Sequence, residues 1–532
     1  MIRIAVACWV TAWIALVSPA GRANGGAAGP EVRVESGMVR GRSVATLPRG
    51  GAFMGIPYAA QPVGPLRWHA PEAAPRWSGV REATSYGAAC PQAPSPWLPE
   101  MLGIRKMRTD EACLYLNVWT PELHPARRLP VLVWVHGGGN VEGSGEWPPL
   151  GVPLAEQGIV VVSLNYRLGV FGFYANPALD AESARHVSGN YGHLDQIAAL
   201  SWVRRNIASF GGDAARVTIA GESSGALDVC NLMASPLAAG LFRGAVMESG
   251  VCVDSVYPKL PELEGNNAGL ARDLGVAAGQ GELAALRAVP AERMYAAAAK
   301  DEVLDFEPAV DGWVLPQQPA VTFAKGEQVK VPVLVGSNDS EVSIFASPLV
   351  GGHSNRPKTV AAYRAWLEKQ FGPLAGRVLA EYPAQSDAEV PQAFRRMFTD
   401  YDFGFGAWLL ARDTDNVGQD AYLYNFTYAG QGPFAELGAF HSEEEMFLSR
   451  HYWTSWVARP EDGALSRSII GYWTNFVKTE NPNGKSLPEW PAQQPSGEAE
   501  ELGKSVGPEA VPRVEKFSVF QEYLTTRLGK LQ

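Results

Sequence analysis

Short runs of apolar residues recur along the chain at Val131–Val135, Ile159–Val162, Val217–Ala220 and Val331–Val335. A strand that is apolar at every position has no face for water and must be covered on both sides. That is the setting of a parallel strand inside a sheet. Between the second and third runs, Ile197, Leu200, Val203 and Ile207 repeat every three or four residues, which predicts a helix from Asp195 to Ser209. Phe210-Gly211-Gly212 ends it. Tyr422–Tyr428 reads as a late strand. Ser466–Thr479 reads as a helix carrying Ile469, Ile470, Trp473, Phe476 and Val477 on one stripe, and the Ala-rich stretch Leu283–Lys300 as a surface helix in an insertion. Strands alternating with helices over this length predict an α/β fold: an open, mainly parallel sheet with helices on both faces.

The chain has 532 residues and is 46% hydrophobic, enough to build a large core, so general disorder is excluded. No linker interrupts it after the Gly-rich leader Asn24–Pro30, and no solenoid repeat is present. Lys and Arg number 45 against 55 Asp and Glu, a formal charge of −10, which argues against nucleic acid as a partner.

Arg3 precedes Ile4–Val17, apolar except for Thr11, and then comes Ser18-Pro19-Ala20-Gly21-Arg22-Ala23. A positive start, a short apolar stretch and small residues predict a signal peptide over residues 1–23, cut after Ala20 or Ala23. The expected product is secreted or periplasmic, with no membrane span in the mature chain. Cys8 leaves with the signal, and Cys90, Cys113, Cys230 and Cys252 remain. An even number in an oxidising compartment points to disulfides. Four cysteines allow three pairings, and Cys230 also reads as a buried thiol in an apolar helix.

Gly221-Glu222-Ser223-Ser224-Gly225 lies between the run Val217–Ala220 and a helix-like stretch starting near Ser224. In that context, G-x-S-x-G is a turn that exposes a serine hydroxyl at the carboxyl end of a strand. A serine needs an imidazole to take its proton. In strand–elbow–helix hydrolases the order is serine, acid, histidine. Of the histidines after Ser223, His353 sits in a Gly-rich loop and His451 in an aromatic stretch, whereas His441 follows the late strand. The acid comes from the loop after Val331–Val335, where position alone does not separate Asp339 from Glu341. His136-Gly137-Gly138-Gly139 follows the strand Val131–Val135. Its backbone N–H groups, with that of Ser224, form an expected oxyanion hole.

These residues resemble the type-B carboxylesterases, the carboxylesterase/cholinesterase group of α/β-hydrolases. The resemblance runs from Val39 to about Trp490. Residues 210–225 look like the family's serine signature, Glu111–Val118 like its second signature, and Gly189–Gln196 like the stretch before its long helix. Asn481-Pro482-Asn483 also fits. The resemblance implies an α/β-hydrolase fold as a single domain over residues 24–532, with insertions forming a cap over the site. It implies Glu341 as the acid with Ser223 and His441, and Gly138, Gly139 and Ser224 as oxyanion donors. It implies Ser249 as a supporting serine beside the triad, and a Cys90–Cys113 bridge. It implies a serine esterase that cleaves small-molecule carboxylic esters through an acyl-enzyme, with no metal and no cofactor. The competing readings are a lipase, thioesterase or amidase on the same machinery, and a non-enzymatic binding protein. The chain also departs from the family. Ala112 replaces an Asp, Ala214 a Pro, Ser224 an Ala that lends only its backbone, and Val342 a Gly. Asn140 stands where an aromatic or small apolar residue is usual, so Asn140 and Glu142 are expected to make the acyl pocket polar.

Overall fold

The computed structural model describes residues 29–529, except 96, 102, 104–105, 278, 280, 299–305, 351–355 and 493–496. The expected signal peptide and His353 lie outside the described residues.

The apolar runs become strands of one ten-stranded sheet. In chain order these are β1 Gly51–Pro57, β2 Tyr115–Thr120, β3 Leu129–Val135, β4 Val160–Leu164 and β5 Gly212–Glu222, followed by β6 Gly244–Glu248, β7 Val333–Asn338, β8 Ala421–Phe426, β9 Glu498–Leu502 and β10 Val506–Ala510. In space they run β10-β9-β8-β7-β6-β5-β3-β4-β2-β1. From β9 across to β4 every neighbouring pair is parallel. The edges β10, β2 and β1 pair antiparallel. A smaller three-stranded sheet (Glu31–Val34, Gly37–Arg40, Val80–Glu82) lies outside it.

Alternate residues of one strand enter two different cores. Val131, Val133 and Val135 of β3 join one apolar cluster, and Leu132 and Trp134 join the other. The first core also takes Ala199, Leu200, Trp202 and Val203 from α1 (Tyr191–Asn206), while the second takes Ile469, Ile470, Trp473 and Phe476 from α4 (Asp462–Thr479). Both faces of the sheet are therefore covered, which is why the central strands carry no polar alternation. Two further helices matter for the site: α2 (Ser224–Ala234) and α3 (Glu443–Ser449).

Several boundaries differ from the sequence reading, for physical reasons. The strand expected from Val331 begins at Val333, after Pro332, and runs on to Asn338. Its polar end is paired in register with β8, Asn338 opposite Phe426. The Ala-rich stretch is not one helix but two, Glu282–Arg287 and Ala291–Ala298. Pro290 between them has no N–H to continue the ladder. α1 begins earlier than the apolar repeat indicates, at Tyr191, since its first turns bury the polar residues His193 and Asp195, which an apolar repeat does not register. Asp195 is paired with Arg167 at 2.7 Å.

Cys90 pairs with Cys113 and Cys230 with Cys252, closing loops of 23 and 22 residues. Bridges over loops of this length restrict the unfolded chain by about 3 kcal/mol each. Among the described residues no helix is long and apolar enough to cross a membrane.

Candidate active site

Ser223 stands between β5 and α2 with φ 57° and ψ −128°, a conformation that non-glycine residues rarely adopt. Two glycines make that turn possible. A Cβ on Gly225 would lie 2.2 Å from the Val135 carbonyl oxygen, and one on Gly221 would lie 2.5 Å from the Gly225 carbonyl carbon. The turn is pinned from β6, where the Glu248 carbonyl accepts the Ser223 N–H at 2.8 Å.

His441 reaches the same cavity from the loop before α3. Its Nδ1 lies 2.6 Å from Glu341 Oε2, and its backbone N–H donates to the Glu341 carbonyl at 3.1 Å. Glu341 is fully buried, and its Oε1 accepts the Asn338 N–H at 2.8 Å. Asp339, the other carboxylate of that loop, turns away and pairs with Arg513 at 3.0 Å.

The other ring nitrogen has a neighbour that the sequence reading missed. His441 Nε2 lies 3.2 Å from Glu222 Oε1, which also accepts from Ser442 Oγ. The available signal was local, since Glu222 directly precedes Ser223 inside the elbow. Burial works against the imidazolium of His441, but the carboxylates of Glu222 and Glu341 outweigh it, and its pKa is pushed up to about 9. Behind Glu222 lies a set of buried carboxyls, Glu248, Glu443, Glu444 and Glu445. Burial holds Glu248, Glu443 and Glu445 well above the usual carboxylate range and pushes Glu444 up to about 7, whereas at Glu222 the effect of burial is opposed by the neighbouring His441 cation, which favours the ionised carboxylate. Glu444 accepts from Asn338 Nδ2 and, at 3.3 Å, from Ser249 Oγ. Trp473 Nε1 donates to Glu248 at 2.7 Å.

The glycine loop after β3 forms the facing wall. Gly138 has φ 106°, and a Cβ there would lie 2.3 Å from the Glu142 carbonyl oxygen. Among the described residues the N–H groups of Gly138 and Gly139 donate to no backbone carbonyl. Ser224 opens α2, so its N–H has no intrahelical acceptor. His136, just before the glycines, is buried and pushed down to about 4 by that burial, so it stays neutral.

Ser223, Ser224, His441, Gly138, Gly139 and Ser249 all line one cavity of about 710 Å³. Its outer wall comes from the insertions after β6 and β7 and from the C-terminal helix, through Tyr257, Phe345, Phe403 and Arg527. Phe345 and Phe403 flank His441, with ring centroids 5.1 and 5.2 Å from the imidazole. Asp402 in the same wall is pushed up to about 6 by burial. Nothing in the sequence signalled it.

Glu142 lines the cavity, and burial raises its carboxyl above the ordinary value. Asn140 also lines it, but the amide is spent on Asp228 and Tyr166, at 3.0 Å each. Ser224 lends more than its backbone, since its Oγ accepts the Asn140 N–H at 3.1 Å. His451 hydrogen-bonds the Met101 carbonyl at 2.8 Å and stands outside the cavity wall. Among the described residues no group of three or more His, Cys, Asp or Glu side chains is arranged to hold a metal ion.

A mainly parallel sheet with a serine on the strand–turn–helix elbow at the carboxyl end of its inner strand β5 defines an α/β-hydrolase. The chain belongs to the carboxylesterase family, whose sequence model ("Carboxylesterase family") matches residues 28–507, and it is a carboxylic ester hydrolase. It is 38% identical over 472 residues to the fumonisin B1 esterase of Sphingopyxis macrogoltabida, covering 86% of this chain and 84% of that protein. It is 36% identical over 456 residues to the para-nitrobenzyl esterase of Bacillus subtilis strain 168, covering 83% and 88%. Among solved structures, a PNB esterase superposes with a TM-score of 0.78 at 34% identity, covering 92% of this chain and 99% of that one. A Geobacillus stearothermophilus carboxylesterase gives 0.79 at 32% identity, covering 92% and 100%.

Proposed function

We propose that the chain is an exported serine esterase that cleaves its substrate in two steps through an acyl-enzyme. The observation that carries this reading is the His441–Glu341 contact of 2.6 Å, in the cavity that also holds the strained Ser223. Ser223 Oγ attacks the ester carbonyl while His441 takes its proton. The oxyanion that forms is held by the N–H groups of Gly138, Gly139 and Ser224. His441 returns the proton to the leaving alcohol, then activates water to release the acid. Glu341 orients the imidazole and stabilises its cation, and Ser249 supports the carboxyl set behind it through Glu444. The expected polar acyl pocket rests on Glu142 alone, because Asn140 spends its amide within the protein. Export is supported by the two disulfides, which persist in oxidising compartments.

The direct test is covalent labelling. A fluorophosphonate probe is expected to add to the intact protein once, at Ser223, and to abolish hydrolysis of p-nitrophenyl esters. Labelling at another residue, or labelling that leaves turnover intact, rejects the mechanism. The same protein profiled on matched esters, thioesters and anilides separates an esterase from a thioesterase or an amidase.

The pH dependence follows from the carboxylates around the imidazole. Only neutral His441 takes a proton from serine, so kcat/KM rises with pH through the His441 pKa. With that pKa pushed up to about 9, the ascending limb is expected above the usual imidazole value near 6.5. Glu222→Gln removes one of the charges that raise it, so the limb moves toward acid. An ascending limb at or below 6.5 in the parent, or one unmoved by the substitution, contradicts this account. The same shift bears on folding. A raised histidine pKa contributes stability that is fully present below about 6.5 and is lost as pH rises through about 9.

A further inference from the structure

The glycines of the loop after β3 have φ values of 106° and 64° and no side chains with which to hold themselves. Oxyanion stabilisation requires donors that are already aimed before the charge develops. Something outside the glycines must fix them. The residue that follows, Asn140, is itself left-handed at φ 59° and has every polar group bonded. Its N–H donates to Ser224 Oγ at 3.1 Å, and its carbonyl accepts the Gly169 N–H at 2.7 Å. Its Oδ1 accepts from the Tyr166 hydroxyl at 3.0 Å, and its Nδ2 donates to Asp228 Oδ1 at 3.0 Å.

Asp228 is the centre of this arrangement. It is fully buried and lies four residues after Ser224 on α2, on the same helix face. Besides Asn140, it accepts from His193 Nε2 at 3.0 Å and Gln196 Nε2 at 2.5 Å, both on α1. One carboxylate therefore joins the glycine loop, the helix that starts beside Ser223 and the long helix α1. Hydrogen bonds to a charged acceptor in a dry interior are among the strongest a protein makes. Tyr166 sits between Asn140 and the other end of the glycines, its single hydroxyl proton shared between Asn140 Oδ1 at 3.0 Å and the His136 carbonyl at 2.8 Å.

We infer that Asp228 and Asn140 are positioning residues for ester hydrolysis, whose mutual hydrogen bond fixes the direction of the Gly138 and Gly139 N–H groups toward the oxyanion. This rests on the reading of Ser223 and the glycine loop given above. Neither side chain touches the reacting atoms in that mechanism. Both act through the loop.

The test uses the full-length protein with a p-nitrophenyl ester and a trifluoromethyl ketone, which adds to the serine and mimics the tetrahedral intermediate. Removing one oxyanion donor outright costs about 10²–10³ in kcat. Asn140→Leu and Asp228→Asn leave the donors present but loosely aimed, so about a tenfold to hundredfold fall in kcat is expected. Ketone affinity should fall by the same factor, with KM within about twofold of the parent. Asn140→Asp sets two carboxylates against each other and should be worse. The exchange Asn140→Asp with Asp228→Asn restores a donor–acceptor pair in the opposite sense and should recover most of the loss. Unchanged kcat and ketone affinity in Asn140→Leu overturns the inference. So does a parallel loss of substrate and ketone affinity, which would mean general damage to the pocket. If the single variants do not fold, the exchange decides: folded and active supports the inference, while inactive or unfolded rejects it. A parent enzyme that hydrolyses esters but forms no ketone adduct at Ser223 would instead remove the underlying serine reading.

Discussion

Ser223→Ala is expected to lower kcat for ester hydrolysis by about 10⁴–10⁶ while leaving the fold intact, on the scale seen when a triad nucleophile is removed. In the proposed mechanism the loss is large because the acyl-enzyme route disappears altogether. The histidine then has no hydroxyl to activate, and only the donors of Gly138, Gly139 and Ser224 remain to polarise the carbonyl. The fold should survive because the substitution removes one oxygen facing the cavity. The strained backbone at φ 57° is held by neighbours that do not change. Those neighbours are the Glu248 carbonyl on the Ser223 N–H and the close approach of Gly225 to the Val135 carbonyl. Alanine meets nearly the same steric penalty there as serine, so the thermal midpoint should move by no more than a few degrees. Stopped-time assays with a p-nitrophenyl ester, alongside circular-dichroism melts, read both quantities. A residual rate within a hundredfold of the parent, from protein free of contaminating esterase, excludes Ser223 as the nucleophile.

The parts of this site that could be read from sequence are those that depend on neighbours along the chain. The elbow was legible because strand, glycines, serine and helix fall within a dozen residues. The glycine loop was legible for the same reason, following an apolar strand directly. The choice between Asp339 and Glu341 was not a local matter. Asp339 is drawn off by Arg513, 174 residues away, and only a resemblance to a family pointed to Glu341. Asn140 shows the other side of the same limit. As a polar residue beside the glycine loop it reads as part of a pocket, yet its amide faces Asp228, 88 residues later. The buried carboxyls of α3 look like a charged surface run in Ser442-Glu443-Glu444-Glu445. Their burial against Asn338, Glu248 and His441 appears only once the sheet is assembled. The start of β7 was misplaced because Val331 is as apolar as the residues that pair, whereas the pairing itself begins only after Pro332.

Glu341→Gln should be the most informative substitution after that of the serine, because it keeps the shape of the side chain and changes only its charge and donors. In the parent, Oε1 is committed to the Asn338 N–H at 2.8 Å, and Oε2 faces His441 Nδ1 at 2.6 Å. A glutamine that keeps its carbonyl oxygen on the Asn338 N–H must present its NH2 group to Nδ1. That nitrogen then has to accept, and the ring proton moves to Nε2, where it can no longer receive a proton from Ser223. An acid-to-amide change of this kind in a serine triad costs about 10⁴ in kcat through the wrong tautomer. KM should stay close to the parent value, since Glu341 is fully buried and substrate does not meet it. Glu222 provides the internal control. It faces Nε2 at 3.2 Å, so its amide variant leaves the Glu341–Nδ1 bond that fixes the tautomer in place and should chiefly move the pH limb. If Glu222→Gln instead cost the four orders of magnitude and Glu341→Gln only shifted the pH limb, the assignment of the two carboxylates around the imidazole would have to be exchanged.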